Sequence, residues 1–151
     1  MILYSTKNLQ LKANLEEAVF RSLPADNGLY MPEYIPKVTT QFLEGIEHLS
    51  FNEIAFEVSK TLLNDDISEA DIRMIVDRAF DFDAPVVPIE RNIHCLELFH
   101  GPSMAFKDFG ARFMASLMSY FLVRSQKEIR ILVATSGDTG GACLLYTSRR
   151  G

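Results

Sequence analysis

The chain has 151 residues, 48% of them hydrophobic and 23% charged, with a formal net charge of −5. One ordinary domain fits that length, and the balance is that of a globular chain rather than a disordered one. The acidic charge argues against a nucleic-acid partner, which would demand basic patches, and the most apolar run, residues 113–123, is too short for a membrane span.

Residues 1–4 read as a short apolar strand, with no charged segment and apolar core of a secretory signal. Asn14, with Glu17 three residues on, predicts a helix cap followed by Leu15, Val19 and Leu23 on one face. Pro24-Ala-Asp-Asn-Gly28 stops that helix, and residues 28–32 form a brief extended piece. Ser50 and Glu53 spell a capping box, with Phe51, Ile54, Ala55, Val58 and Leu62 at helical spacing behind them. Ser68 and Asp71 repeat the device ahead of Ile72, Ile75, Val76 and Ala79. Two such helices should pack as a small, mostly helical N-terminal domain over residues 1–82.

Residues 82–88 carry two prolines around Val86 and Val87 and read as an extended connector at a domain boundary. Beyond it the pattern becomes strand (96–99), helix (106 to about 123), strand (129–134) and a Gly-rich turn. That order predicts an α/β fold whose second domain begins a parallel sheet. A stripe of Phe106, Phe109, Phe113, Leu117 and Tyr120 should bury the long helix.

Lys107 falls in the first turn of that helix, one position off the stripe. Unpaired backbone N–H groups and the helix dipole disfavour a second positive charge there, a condition that suits an amine acting as nucleophile or base. Its position alone also fits a solvated surface lysine. Strand 129–134 runs into Thr135-Ser-Gly-Asp-Thr-Gly-Gly141, a turn that can offer backbone N–H groups to an anion. Its glycine spacing matches neither a Walker loop nor a dinucleotide fingerprint, and a plain turn capped by Asp138 or Thr139 is the alternative. His94, Cys95 and His100 lack the fourth ligand and spacing of a metal site, so no metal is expected. Cys95 and Cys143 give no disulfide framework and read as reduced thiols of a cytoplasmic protein.

The stretch Leu96-Glu-Leu-Phe-His-Gly-Pro-Ser-Met-Ala-Phe-Lys107-Asp, the Ser136-Gly-Asp-Thr-Gly140 loop and the early Gly28-Leu-Tyr-Met-Pro32 segment closely resemble threonine synthase. That family is pyridoxal-phosphate (PLP) dependent and shares the tryptophan-synthase-β-like fold. The resemblance runs from Leu3 to about Ala142. It implies that Lys107 holds PLP as a Schiff base, and that Ser136, Gly137, Thr139 and Gly140 grip the substrate α-carboxylate. Relatives often carry Asn where this chain has Asp138; an ionised Asp138 would repel a carboxylate, so it is assigned to the cofactor side or to a helix cap. Dehydratase-like relatives often place Arg two residues after the lysine, where this chain has Phe109 and then Arg112, which favours the threonine-synthase branch.

The implied reaction converts the small-molecule substrate O-phospho-L-homoserine and water to L-threonine and phosphate. A phospho-lyase or dehydratase on the same scaffold, or a non-catalytic fragment, are the alternatives. Residues 83–142 would be the beginning of the PLP-binding α/β domain, truncated, and 143–151 an unrelated-looking tail. The family's loop for the PLP phosphate is not found in this chain, so the chain alone is expected to be inactive and to unfold in more than one step. Oligomeric state is left open.

Overall fold

A computed structural model describes residues 1–125 and 129–147, the last four of these by backbone alone. The chain forms two compact units, Met1–Met74 and Ile75–Gly151.

In the first unit, strand β1 (Ile2–Ser5) is central to a three-stranded antiparallel sheet, between β2 (Lys12–Asn14) and β3 (Tyr30–Pro32). Leu3 faces Ala13 on one side and Pro32 on the other. Helix α1 (Leu15–Arg21) starts at Asn14, whose side chain accepts the Glu17 N–H at 2.8 Å, as the spacing predicted. It ends earlier than the apolar pattern suggested. Ser22 takes φ +63°, and Leu23 lies outside the helix and half exposed. The turn behind it is locked by Ser5, fully buried, whose hydroxyl donates to the Asp26 carboxylate at 2.7 and 2.8 Å. Gly28 follows because a Cβ there would run into Ser5 Oγ. The hydrogen bonds from Ser5 hold the Asp26 carboxyl below its ordinary pKa.

Helix α2 (Thr40–Gly45) leads through a 3-10 turn to α3 (Phe51–Leu63), where the Ser50–Glu53 capping box forms in full. Helix α4 (Glu69–Ala79) begins behind Ser68, which accepts the Asp71 N–H at 3.3 Å. The unit boundary falls inside α4. Ile67 and Ile72 are buried in the first unit, as are Ile75, Val76 and Ala79 in the second. The face that α3 buries is Phe56, Ser59 and Leu63, whereas Val58 of the expected stripe is exposed. Apolar residues of α3 occur on more than one side of the helix, and Arg73 stacks 3.6 Å from the ring centre of the buried Phe56.

The second unit departs further from expectation. The end of the 82–88 connector is instead part of β4 (Val86–Glu90), which pairs antiparallel with β5 (Ile93–Leu96). Asn92 at φ +66° makes the turn, a conformation that Asn tolerates better than most residues. The strand expected at 96–99 therefore lies three residues earlier, its register set by that turn. Residues 129–134 do not form the expected strand. Neither sheet pairs with them among the described residues, Leu132 is 95% exposed, and a ladder needs a partner. The parallel sheet is likewise not seen among the described residues, where both sheets are antiparallel. Helix α5 (Lys107–Ser125) packs on α6 (Asp138–Thr147). Of the tail expected at 143–151, residues up to Thr147 continue α6, and 148–151 lie outside the described residues.

Candidate functional site

Lys107 is the first residue of α5, in the first turn expected for it, although the helix starts one residue later than the expected 106. It is half-buried, and its ammonium sits 3.7 Å from the Phe106 ring centre, a cation–π contact. The loop before it, residues 101–106, is tightly specified. Met104 takes φ +57°, its N–H donates to the Gly101 carbonyl at 2.9 Å, and the Asp108 N–H donates to the Ala105 carbonyl at 3.0 Å.

Asp108, the second residue of α5, has no solvent exposure. Its carboxylate accepts the Ser103 N–H at 2.8 Å, and Gly101 packs so closely on it that a Cβ would overlap the carboxylate. One turn on, Arg112 is also buried. Its guanidinium pairs with the Asp81 carboxylate, donates to the Arg78 carbonyl at 3.1 Å and lies 5.3 Å from the Phe82 ring centre. With Ser116 and Tyr120, these residues form a ridge of four-residue spacing that α5 buries. The expected aromatic stripe is therefore only partly covered: Leu117 and Tyr120 are buried, Phe109 and Phe113 are half-buried, and Phe106 is exposed. Phe109 and Phe113 instead meet Phe80, at ring separations of 6.1 and 6.0 Å.

The second motif lies at the start of α6. Gly137 takes φ +139°, and Asp138 opens the helix. The capping oxygen is neither Asp138 nor Thr139 but Thr135 Oγ1, which accepts the N–H groups of Gly137 at 3.2 Å and Gly140 at 2.9 Å. A Cβ on Gly140 would press on that same oxygen. Ser136, Gly137 and Asp138 are exposed, and Thr139 and Gly140 are half-buried. Both sequence motifs thus stand at helix N-termini, where backbone N–H groups and the dipole favour anions, on two helices that pack together. Sequence reasoning missed Asp108, Ser103 and Thr135 as the groups that shape the two turns. The available signal was a carboxylate and hydroxyls adjoining glycines at helix starts. Neither Cys95 nor Cys143 forms a disulfide among the described residues. Among the described residues no helix is long and apolar enough to cross a membrane.

Comparison with known proteins points to one family. The family profile described as "Threonine synthase N terminus" matches residues 3–80. The threonine synthases of Haemophilus influenzae and Escherichia coli are 40% and 37% identical to this chain over 142 residues. Each alignment covers 94% of this chain but 32% and 33% of the relative. The solved structure of E. coli threonine synthase matches with a TM-score of 0.89 at 36% identity, over 97% of this chain and 34% of that one. PLP-bound threonine synthase from Brucella melitensis gives 0.87 at 33% identity, over 97% and 32%. The chain spans about a third of the length of the relatives it matches. With the profile covering more than half of its residues and its backbone following those of solved relatives, the chain belongs to the threonine synthase family.

Proposed function

We propose that this chain carries the N-terminal third of a PLP-dependent threonine synthase, which converts O-phospho-L-homoserine and water to L-threonine and phosphate in the cytoplasm. The observation that carries the reading is the alignment with curated threonine synthases over 94% of the chain, an extent that takes in both Lys107 and Ser136–Gly140. Residues 1–82 are assigned to the N-terminal domain, a division supported by the profile's end at residue 80. Residues 83–142 are assigned to the start of the parallel α/β cofactor domain.

The residues present suit the cofactor. Lys107 offers an amine at a helix start, half-buried and next to a loop whose Ser103 N–H donates to the buried Asp108 carboxylate. In the Thr135-capped turn a Cβ on Gly140 would press on Thr135 Oγ1, the oxygen that takes the N–H groups of Gly137 and Gly140, so an anion bound there would replace that oxygen as their acceptor. When bound, PLP supplies an electron sink for carbanion chemistry. Lys107 would hold it covalently and, once freed, carry protons to and from the substrate Cα and its neighbouring carbon. Ser136 and Thr139 would orient the α-carboxylate with their hydroxyls, and Gly137 and Gly140 with N–H groups released from Thr135 Oγ1. Asp138 is assigned to the cofactor side, because a second carboxylate would repel the substrate's own.

The test is a chimera in which this chain replaces the matching third of the H. influenzae enzyme. Threonine and phosphate should appear together from O-phosphohomoserine, and Lys107→Ala should abolish both, along with the visible absorbance of bound PLP. Turnover that survives Lys107→Ala would sink the assignment, and 2-oxobutyrate in place of threonine would move the chain to a dehydratase.

A further inference from the structure

We infer that Asp108 is a positioning residue for Lys107, acting through the loop 101–106 and the Phe106 ring; the inference rests on Lys107 being the reactive amine of the proposed enzyme. Asp108 is fully buried although it stands next to a half-exposed lysine. A buried carboxylate is costly unless hydrogen bonds compensate it, so its place at the second position of α5 reflects what it binds. Its oxygen takes the Ser103 N–H at 2.8 Å, five residues upstream, and Gly101 closes on the same carboxyl group. These contacts bracket the left-handed Met104 and fix where the loop delivers Phe106.

Phe106 is more than half exposed, so no surrounding core holds it. Its ring nevertheless lies 3.7 Å from the Lys107 ammonium. The order of control is therefore carboxylate, loop, ring, amine. A side chain that merely filled space at position 108 would pack the helix start without fixing the loop. The hydrogen-bond acceptor is the feature that matters.

The chain itself can be tested without any cofactor, by reductive methylation with formaldehyde followed by peptide mapping, with exposed Lys37 as internal reference. Asp108→Ala should strip the Ser103 N–H of its hydrogen-exchange protection. It should also raise methylation of Lys107 relative to Lys37 by about threefold, the size expected for release of a partly exposed cation–π contact. Asp108→Asn keeps an oxygen that can accept the Ser103 N–H and should leave both readouts at wild type. Phe106→Leu should raise Lys107 methylation while Ser103 stays protected. A Ser103 N–H still protected in Asp108→Ala, or a Lys107 rate unmoved by losing either the carboxylate or the ring, would overturn the inference. Should Asp108→Ala fail to fold, Asp108→Asn and Phe106→Leu decide by the same criteria. Formaldehyde reports the amine's setting whatever that amine binds, so failure here is distinct from failure of the chimera.

Discussion

Helices α3 and α5 each bury one side, yet they start and bury themselves by different means. Helix α3 is closed by its own neighbours: Ser50 accepts the Glu53 N–H and Glu53 answers on the Ser50 N–H, at 3.3 and 2.7 Å. Its buried face has Phe56 and Leu63 as apolar anchors. Helix α5 begins with a carboxylate reaching back to Ser103, and its buried ridge includes an ion pair to Asp81, 31 residues away in sequence. The lesson is that a helix serving only as scaffold can be specified locally, while the helix bearing the candidate amine is held by buried polar contacts with strict geometry. Such contacts add little net stability but select one arrangement, because leaving any partner unmatched is expensive.

That contrast can be broken where it is strongest. Phe56→Ala should cost about 3 kcal/mol, the toll of emptying a buried aromatic site, and should loosen α3 amides in hydrogen exchange before those of α5. A loss under about 1 kcal/mol would mean that α3 is not anchored by its apolar face. Arg112→Ala should cost about 2 kcal/mol, since it removes a buried side chain's packing and leaves the Arg78 carbonyl without the guanidinium, while Asp81 is exposed and returns to water. Its effect should concentrate in α5, and an exchange pattern that spreads evenly into α3 would contradict the separation drawn between the two helices.

Ser50→Ala sharpens the comparison at its weakest point, with an expected loss of about 1 kcal/mol from the cap in urea unfolding. It also changes the response to acid. Hydrogen bonds from the Ser50 side chain and backbone hold the Glu53 carboxyl below its ordinary pKa. Folding therefore gains from Glu53 above the ordinary carboxyl range and loses that gain as pH falls through the lowered value. Ser50→Ala should flatten this acid limb of the stability curve, and an unchanged limb would show that the capping box does not set it.

What could be read from the sequence follows the range of the forces involved. The caps at Asn14, Ser50 and Ser68 were legible because each joins a side chain to a backbone N–H three residues on. Lys107 at the first position of α5 was legible for a similar reason, since a Gly-Pro turn sets the helix start. The face of α3 was misread, because its neighbours rather than its own pattern choose which apolar side is covered. The Asp108–Arg112–Ser116 ridge was invisible to hydrophobic periodicity, which places charged residues outside. Strand β2 is three residues long and β4 contains Pro88, so neither carried a strand signature of its own. The run 129–134 had that signature but no pairing partner among the described residues, and propensity alone does not make a ladder.

The first sheet has a consequence for the order in which the protein comes into being. Its pairings, Leu3 with Ala13 and Leu3 with Pro32, all close within the first 32 residues, as does the Ser5–Asp26 bond. Loops so short close fast, and translation delivers the N-terminal residues first. A nascent chain can therefore complete this sheet while the codons for Lys107 are still unread, so that the residue proposed for the chemistry emerges behind a finished piece of architecture.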